Sequence, residues 1–448
     1  MNPTPRRIAF VYISTQSAFT FAASLIWAVN TLFLLRAGLN IFEVMVANSA
    51  FTMGMLVFEV PTGVVADTLG RQISFLAGIA IIIVSTVLYV LTAQMHWGLW
   101  LFVIASVLLG LGFTFQTGAV DAWLVDALDH VAYDKPKEEI FARAGIFSSL
   151  AVLVGTLVGG VLGQMDLTYP YYARAAILVV CFLLTAFLMK DLGFVPRPLR
   201  VSAFGAETRA IFAAGVTYGW RNPVVRPMLW VSLFGGIFWI YGFYSLPPFM
   251  LNVLLGKNLI FLFGVVMTAF SAASMLGNAL MGRFMNARGG RRSPAGVLAA
   301  AAAITAAGVG AIGVVGLLTP ASARGWVPFL IAAGIWVAIG VVFGITGPVR
   351  QGFINEHIPS AQRATVLSLD SFFSDAGGSG GSLALGYLTQ MVNYGPAWVI
   401  SAVPLALGYP LYRAAERAAR SSAAPGRSEG DAAPTDDTDA GQGGQATG

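Results

Sequence analysis

The stretch Gly63–Gln72 reads GVVADTLGRQ. An Asp, a Gly and an Arg there close a run of about twenty mostly apolar residues, the length a helix needs to cross a hydrocarbon core. Such a cluster means one thing on a wet surface and another at the end of a membrane helix. The rest of the chain decides between them.

Of 448 residues, 57% are apolar and 10% charged, and the mean hydropathy is +0.75. Soluble domains carry about 25% charged residues, so this chain has too little charge to keep a surface wet. Its apolar residues fall into long runs such as LWLFVIASVLLGLGFTF (99–115) and AAILVVCFLLTAFLM (175–189). Twelve spanning helices are expected, near 8–35, 41–66, 72–94, 97–126, 140–164, 169–190, 227–251, 258–283, 294–318, 327–350, 364–392 and 396–415. The first run is too long for a signal peptide and is expected to be retained. The alternating short strands of a transmembrane barrel are missing.

Lys and Arg set the orientation. With both termini cytoplasmic, 22 of the 26 basic residues fall inside, and only Arg36, Arg174, Lys257 and Arg324 fall outside. The net charge of +5 therefore reports topology and gives no reason to expect a nucleic-acid partner. Arg far outnumbers Lys, and Ala and Gly are abundant, which suggests a GC-rich bacterial genome. The expected location is the inner (plasma) membrane. The single Cys181 allows no disulfide or multi-cysteine metal site, the three histidines are scattered, and no cofactor motif or nucleotide-binding loop is present.

Four segments follow: an N-terminal six-helix bundle (1–190), a basic cytoplasmic linker (191–226), a C-terminal six-helix bundle (227–417) and a polar tail (418–448). In the linker, Phe204, Ile211, Phe212 and Val216 recur at helical spacing, as in a helix lying on the membrane surface. The tail lacks Val, Ile, Leu, Met and aromatic residues, so disorder is expected. The halves repeat: Gly63, Asp67 and Gly70 are matched 219 residues later by Gly282, Asn286 and Gly289. Two repeated six-helix halves are an architecture of secondary transporters.

GVVADTLGRQ resembles the signature loop of the major facilitator superfamily. FQTGAVDAWLVDAL (115–128) and GPVRQGFINEHIPSAQRATVLSLDS (347–371) resemble its fourth-helix end and its loop between helices ten and eleven. The resemblance implies an all-α membrane fold of two pseudo-symmetric halves and transport by alternating access. It also implies a latch. Gly63 would admit a neighbouring helix closely, and Asp67 would face the positive N-terminus of helix eleven near Arg363. Arg71 would pair with Asp126. Thr68 and Gln72 stand where basic residues are common in the family, so a weaker electrostatic lock is expected.

Ionisable residues inside the membrane are functional candidates by default. Asp375 lies 12 residues past Arg363, about 18 Å along a helix and near the midplane. It is either a proton or substrate site, or a carboxylate tied by Ser371, Ser374 and Ser379. Its small, polar surroundings suit a water-filled cavity. Glu59, two turns before Asp67, and Asp121 are either latch supports or coupling groups. Glu43, Arg36 and Arg174 fall near outer helix ends, where snorkelling is expected.

In the family, helices one, four, seven and ten line the cavity. That points to Gln16, Thr20, Ser24 and Trp27; Phe113, Gln116 and Thr117; Phe238, Trp239 and Tyr241; and Trp336 and Phe343. A mixed aromatic and amide lining suits an amphipathic or lipophilic organic molecule. The family's drug–proton antiporters carry an Arg three residues before the Gln of helix four and a Pro among the glycines of helix five. Here Phe113 and Gly160 stand in those places. The expected activity is proton-driven efflux of a small organic compound by a monomer in the lipid bilayer, with an uptake symporter as the alternative. An enzyme would need a clustered nucleophile, acid–base pair or metal set, and a sensor a folded soluble domain; the sequence offers neither.

Overall fold

Away from water, every backbone N–H and C=O must be satisfied within its own segment, and each apolar run accordingly becomes a helix. A computed structural model describes residues 4–194, 196, 213, 216–286, 292–359 and 362–423. The first span is Pro5–Ser24, interrupted and resumed as Asn30–Arg36. The second is Ile41–Leu69 and the third Arg71–Met95. The fourth runs Leu99–Thr117 and, past Gly118, Ala119–His130. The fifth and sixth are Glu138–Met165 and Tyr169–Leu188. The seventh, Val225–Pro248, continues as a π-helical turn, Phe249–Leu255. Ile260–Met285, Pro294–Leu317, Trp326–Glu356, Arg363–Met391 and Tyr394–Ala423 complete the twelve. Among the described residues, nine helices are long and apolar enough to cross a membrane. The other three are the split first span and the last two, which are diluted by Gly, Ser and Tyr.

An even number of spans puts both chain ends at one face, here termed the terminal face; the opposite one is the far face. Within the N-terminal half the second span packs on the fourth, the third on the fourth and sixth, and the first on the fifth and sixth. In the C-terminal half the seventh packs on the eleventh and twelfth, the eighth on the tenth, and the ninth on the twelfth. The halves meet along two seams, second span on eleventh and fifth on eighth. Ser49 and Ser382 hydroxyls meet at 2.8 Å on the first seam, and Thr156 and Thr268 at 3.4 Å on the second. Trp27 of the first span meets Phe243 of the seventh edge-on at 6.2 Å. These contacts cluster in the far half of the helices.

Several sequence expectations change here. The twelfth helix runs to Ala423, so the first residues of the expected tail are helical. Their Ala and Arg are strong helix formers, and buried Glu416 ties this end down by accepting from Ser293, Arg413 and Arg420, each at 2.6 Å. Glu43 does not snorkel. It completes a capping box with Asn40 at the start of the second span, satisfying two otherwise orphaned N–H groups. Arg174 is 2% exposed, packed among tyrosines that include Tyr89 and Tyr171. Phe204, Ile211, Phe212, Gly289 and the tail beyond Ala423 lie outside the described residues; Val216 opens a short π-helical turn, Val216–Trp220.

Candidate functional site

Between the halves, and confined to the terminal half of the helices, lies a cavity of about 530 Å³. Met55, Glu59, Thr114 and Thr117 line it from the N-terminal half. Trp239, Phe343, Arg350, Asp370, Ser374 and Asp375 line it from the C-terminal half. The halves thus touch along the far seams and leave a cavity between them on the terminal side.

Beside the cavity, glycines bring the seventh and eleventh spans together. A Cβ on Gly377 would lie 2.0 Å from the Leu233 carbonyl oxygen, and one on Gly236 would lie 2.0 Å from that of Ser374. Only bare backbones can approach so closely. The small residues around Asp375 thus serve helix contact with the seventh span as well as the cavity wall. Asp375 itself stands half-buried, within electrostatic reach of Glu59 across the cavity. Among the described residues, Ser371, Ser374 and Ser379 do not hydrogen-bond to it, and the Ser379 hydroxyl is buried without a partner. The tying of Asp375 by serines is therefore not seen.

The cavity's other ionisable groups are paired. Arg350 of the tenth span donates to both oxygens of Asp370 of the eleventh, at 2.8 and 2.7 Å. Ser232 of the seventh span donates to Asp370 at 2.6 Å and also contacts Arg350, as does Tyr412. A bidentate guanidinium–carboxylate pair is the strong form of this contact. Sequence reasoning missed it because Arg350 was counted among terminal-face basic residues. The available signal was an Arg and an Asp twenty residues apart within one family-like stretch.

Arg71 binds Asp67 one turn back at 2.6 Å and reaches Asp126 of the fourth span at 3.6 Å. Gly63 has nothing within 4 Å of an added Cβ, and neither does Gly282. The close helix approach expected at Gly63 is therefore not seen among the described residues. Asn286 ends the eighth span as its C-cap. Gly70 takes φ of 110°, a conformation that side chains oppose, and a Cβ there would lie 2.3 Å from Asp191. Asp191, unforeseen from sequence, accepts from the Gln72 backbone at 2.9 Å and so caps the third span. Burial pushes its carboxyl above the ordinary range, while the Gln72 N–H and the Arg71 charge pull it back. Gln72 also donates to the carbonyls of Thr185 and Ala186 at 3.1 Å. It thereby joins the third span to the sixth, where a basic residue is usual in the family.

Of the residues proposed to touch substrate, Trp239 lines the cavity. Gln116 donates to Gln16 at 2.8 Å, joining the first and fourth spans; Thr20 is half-buried on the same first span. Neither glutamine nor Thr20 lines this cavity. Trp27 belongs to the far seam. Tyr241 is fully buried and bonded to Thr389 at 2.7 Å, so it packs the seventh span on the eleventh. Trp336 is 2% exposed, with Phe270 at 5.1 Å and Trp239 at 6.1 Å, and backs the wall from behind. Asp121 accepts from Tyr12 at 2.7 Å, away from the cavity. Metal-ligand clusters are absent among the described residues.

A family model described as Major Facilitator Superfamily matches residues 12–382. The chain belongs to the major facilitator superfamily. No curated protein matches the sequence. Solved structures with the same fold include a mutant of the nucleoside transporter NupG, at TM-score 0.69 and 12% identity, covering 92% of this chain and 99% of that one. A POT family transporter in complex with 5-aminolevulinic acid aligns at TM-score 0.70 and 13% identity, covering 92% and 96%. The POT family transporter PepTSo aligns at TM-score 0.70 and 13% identity, covering 94% and 99%. At such identities the likeness shows the fold alone. As a member of the superfamily, this chain is an integral membrane transporter rather than an enzyme.

Proposed function

We propose that this facilitator exports a small amphipathic or lipophilic organic compound, driven by the proton gradient. The observation that carries the reading is the pair Asp375 and Glu59, two carboxylates that have no basic partner among the described residues and line one cavity between the halves. With the termini cytoplasmic, as the distribution of basic residues favours, the terminal side is the cytoplasm and the conformation is inward-facing. A carboxylate is charged when wet and neutral when buried, so alternating hydration lets Asp375 take up and release a proton once per cycle. One proton delivers about 2.3 kcal/mol at 100 mV. The Asp67–Arg71–Asp126 cluster, on this reading, latches the opposite state, when the terminal ends close and Asp67 reaches the eleventh span.

Asp375→Asn in inverted vesicles is expected to abolish gradient-driven accumulation while substrate exchange persists, and Asp375→Glu to retain part of the activity. Protonophore-sensitive accumulation by Asp375→Asn would place coupling elsewhere, with Glu59 and Asp121 next to be tested. Gradient-driven accumulation in right-side-out vesicles instead would make the protein an uptake symporter.

A further inference from the structure

Resting on that transport reading, we propose that the substrate is an organic cation. It sits between Glu59 of one half and Asp375 of the other, against the rings of Trp239 and Phe343. Among the described residues, the titratable and charged side chains facing the cavity are Glu59, Arg350, Asp370, Asp375 and Tyr412. Tyr412 is neutral at physiological pH, and Arg350 is consumed by its two-point bond to Asp370. Two negative charges remain, one on each half of the molecule.

An anionic substrate would have to draw Arg350 away from Asp370, leaving a third carboxylate uncompensated in the membrane interior. A neutral substrate would leave both free carboxylates to be neutralised by protons before the cavity could close, since isolated charges are not tolerated at low dielectric. A cation removes that requirement by its own charge. The rest of the wall suits one too. Trp239 and Phe343 pack edge to face at 5.0 Å, and aromatic faces attract cations. Phe343 is 46% exposed, so its ring is open to a ligand. Because the carboxylates belong to different halves, a cation between them draws the halves together, and protons on the same carboxylates exclude it. Competition of this kind yields exchange of cation for proton without any separate coupling site.

The test uses the full-length protein in lipid nanodiscs with tetraphenylphosphonium, whose charge is permanent, and tetraphenylborate, a near-isostere of opposite charge. Saturable binding of the phosphonium and none of the borate is expected. Phosphonium affinity should fall as the pH is lowered, because the phosphonium charge is permanent and a proton on either carboxylate removes the charge that attracts it. Glu59→Gln and Asp375→Asn should each weaken binding about tenfold, and the double variant should lose the pH dependence. Glu59→Asp and Asp375→Glu keep the charge and should keep binding, which separates charge from misfolding. Failure of the phosphonium to bind, preference for the borate, or unchanged binding in the double variant would overturn the proposal. Gradient-driven flux in proteoliposomes separates the two readings. Flux of the borate but not the phosphonium leaves transport standing and removes the charge class. Phosphonium binding with the stated pH profile but no flux supports the charge class and removes transport.

Discussion

Arg350 and Asp370 show what a charged residue costs and contributes inside a membrane. Neither could stay ionised there alone, and each is held by the other together with Ser232 and Tyr412. Removing one partner strands the other. Arg350→Met is therefore expected to destabilise the purified protein by about 3–5 kcal/mol, while Arg350→Met with Asp370→Leu recovers much of the loss. Thermal unfolding in detergent reads this directly, and equal losses in the single and double variants would contradict it. At this scale the sequence was only partly legible. Asp375 and Glu59 stood out because a charge in an apolar run has few explanations. Arg350 did not, since distance from a helix end cannot separate a residue at the membrane surface from one turned into the bundle. Tyr241 and Trp336 were misplaced for a related reason: spacing along a helix names a face but not the neighbour that covers it.

Elements were more legible than residues, because length and hydropathy alone separate a spanning helix from a loop. All twelve spans fall close to their expected ranges, and the differences lie in breaks and ends, where local hydrogen bonding outweighs composition. What composition hid was the purpose of the glycines in the eleventh span. Gly377 touches the Leu233 backbone, whereas Gly380, three residues on, has nothing within 4 Å of an added Cβ. Gly377→Ala is thus expected to destabilise by about 1–3 kcal/mol through overpacking, and Gly380→Ala to be neutral or stabilising by up to about 1 kcal/mol. Matching unfolding temperatures for the two would rule out the close contact. The signature loop belongs to this scale as well. It joins the second, third, fourth and sixth spans through Asp67, Arg71, Asp126, Gln72 and Asp191. Arg71→Ala and Asp67→Asn should each slow transport about tenfold at equal membrane abundance, the effect of about 1–2 kcal/mol of lost polar contact on the balance of states. Unimpaired rates in both would remove the latch.

In the whole molecule, the two seams at the far face must part if substrate is to leave there. Ser49 and Ser382, at 2.8 Å, offer a direct test, since the only native thiol, Cys181, is buried. Oxidised Ser49→Cys/Ser382→Cys protein should bind ligand but not transport it, and reduction should restore turnover. Turnover undiminished by the crosslink would show that this seam never opens. The interrupted first and seventh spans provide the means for the far side to open. The first loses its regular ladder across residues 25–29, where Trp27 and Val29 bond only three residues back. The seventh, its counterpart in the other half, widens into a π-helical turn just after Pro247 and Pro248. A helix bends most readily where its repeating bonds lapse. Each half therefore carries a wrist near the far face, and the short segments beyond can swing while the bundles behind them turn as solid blocks.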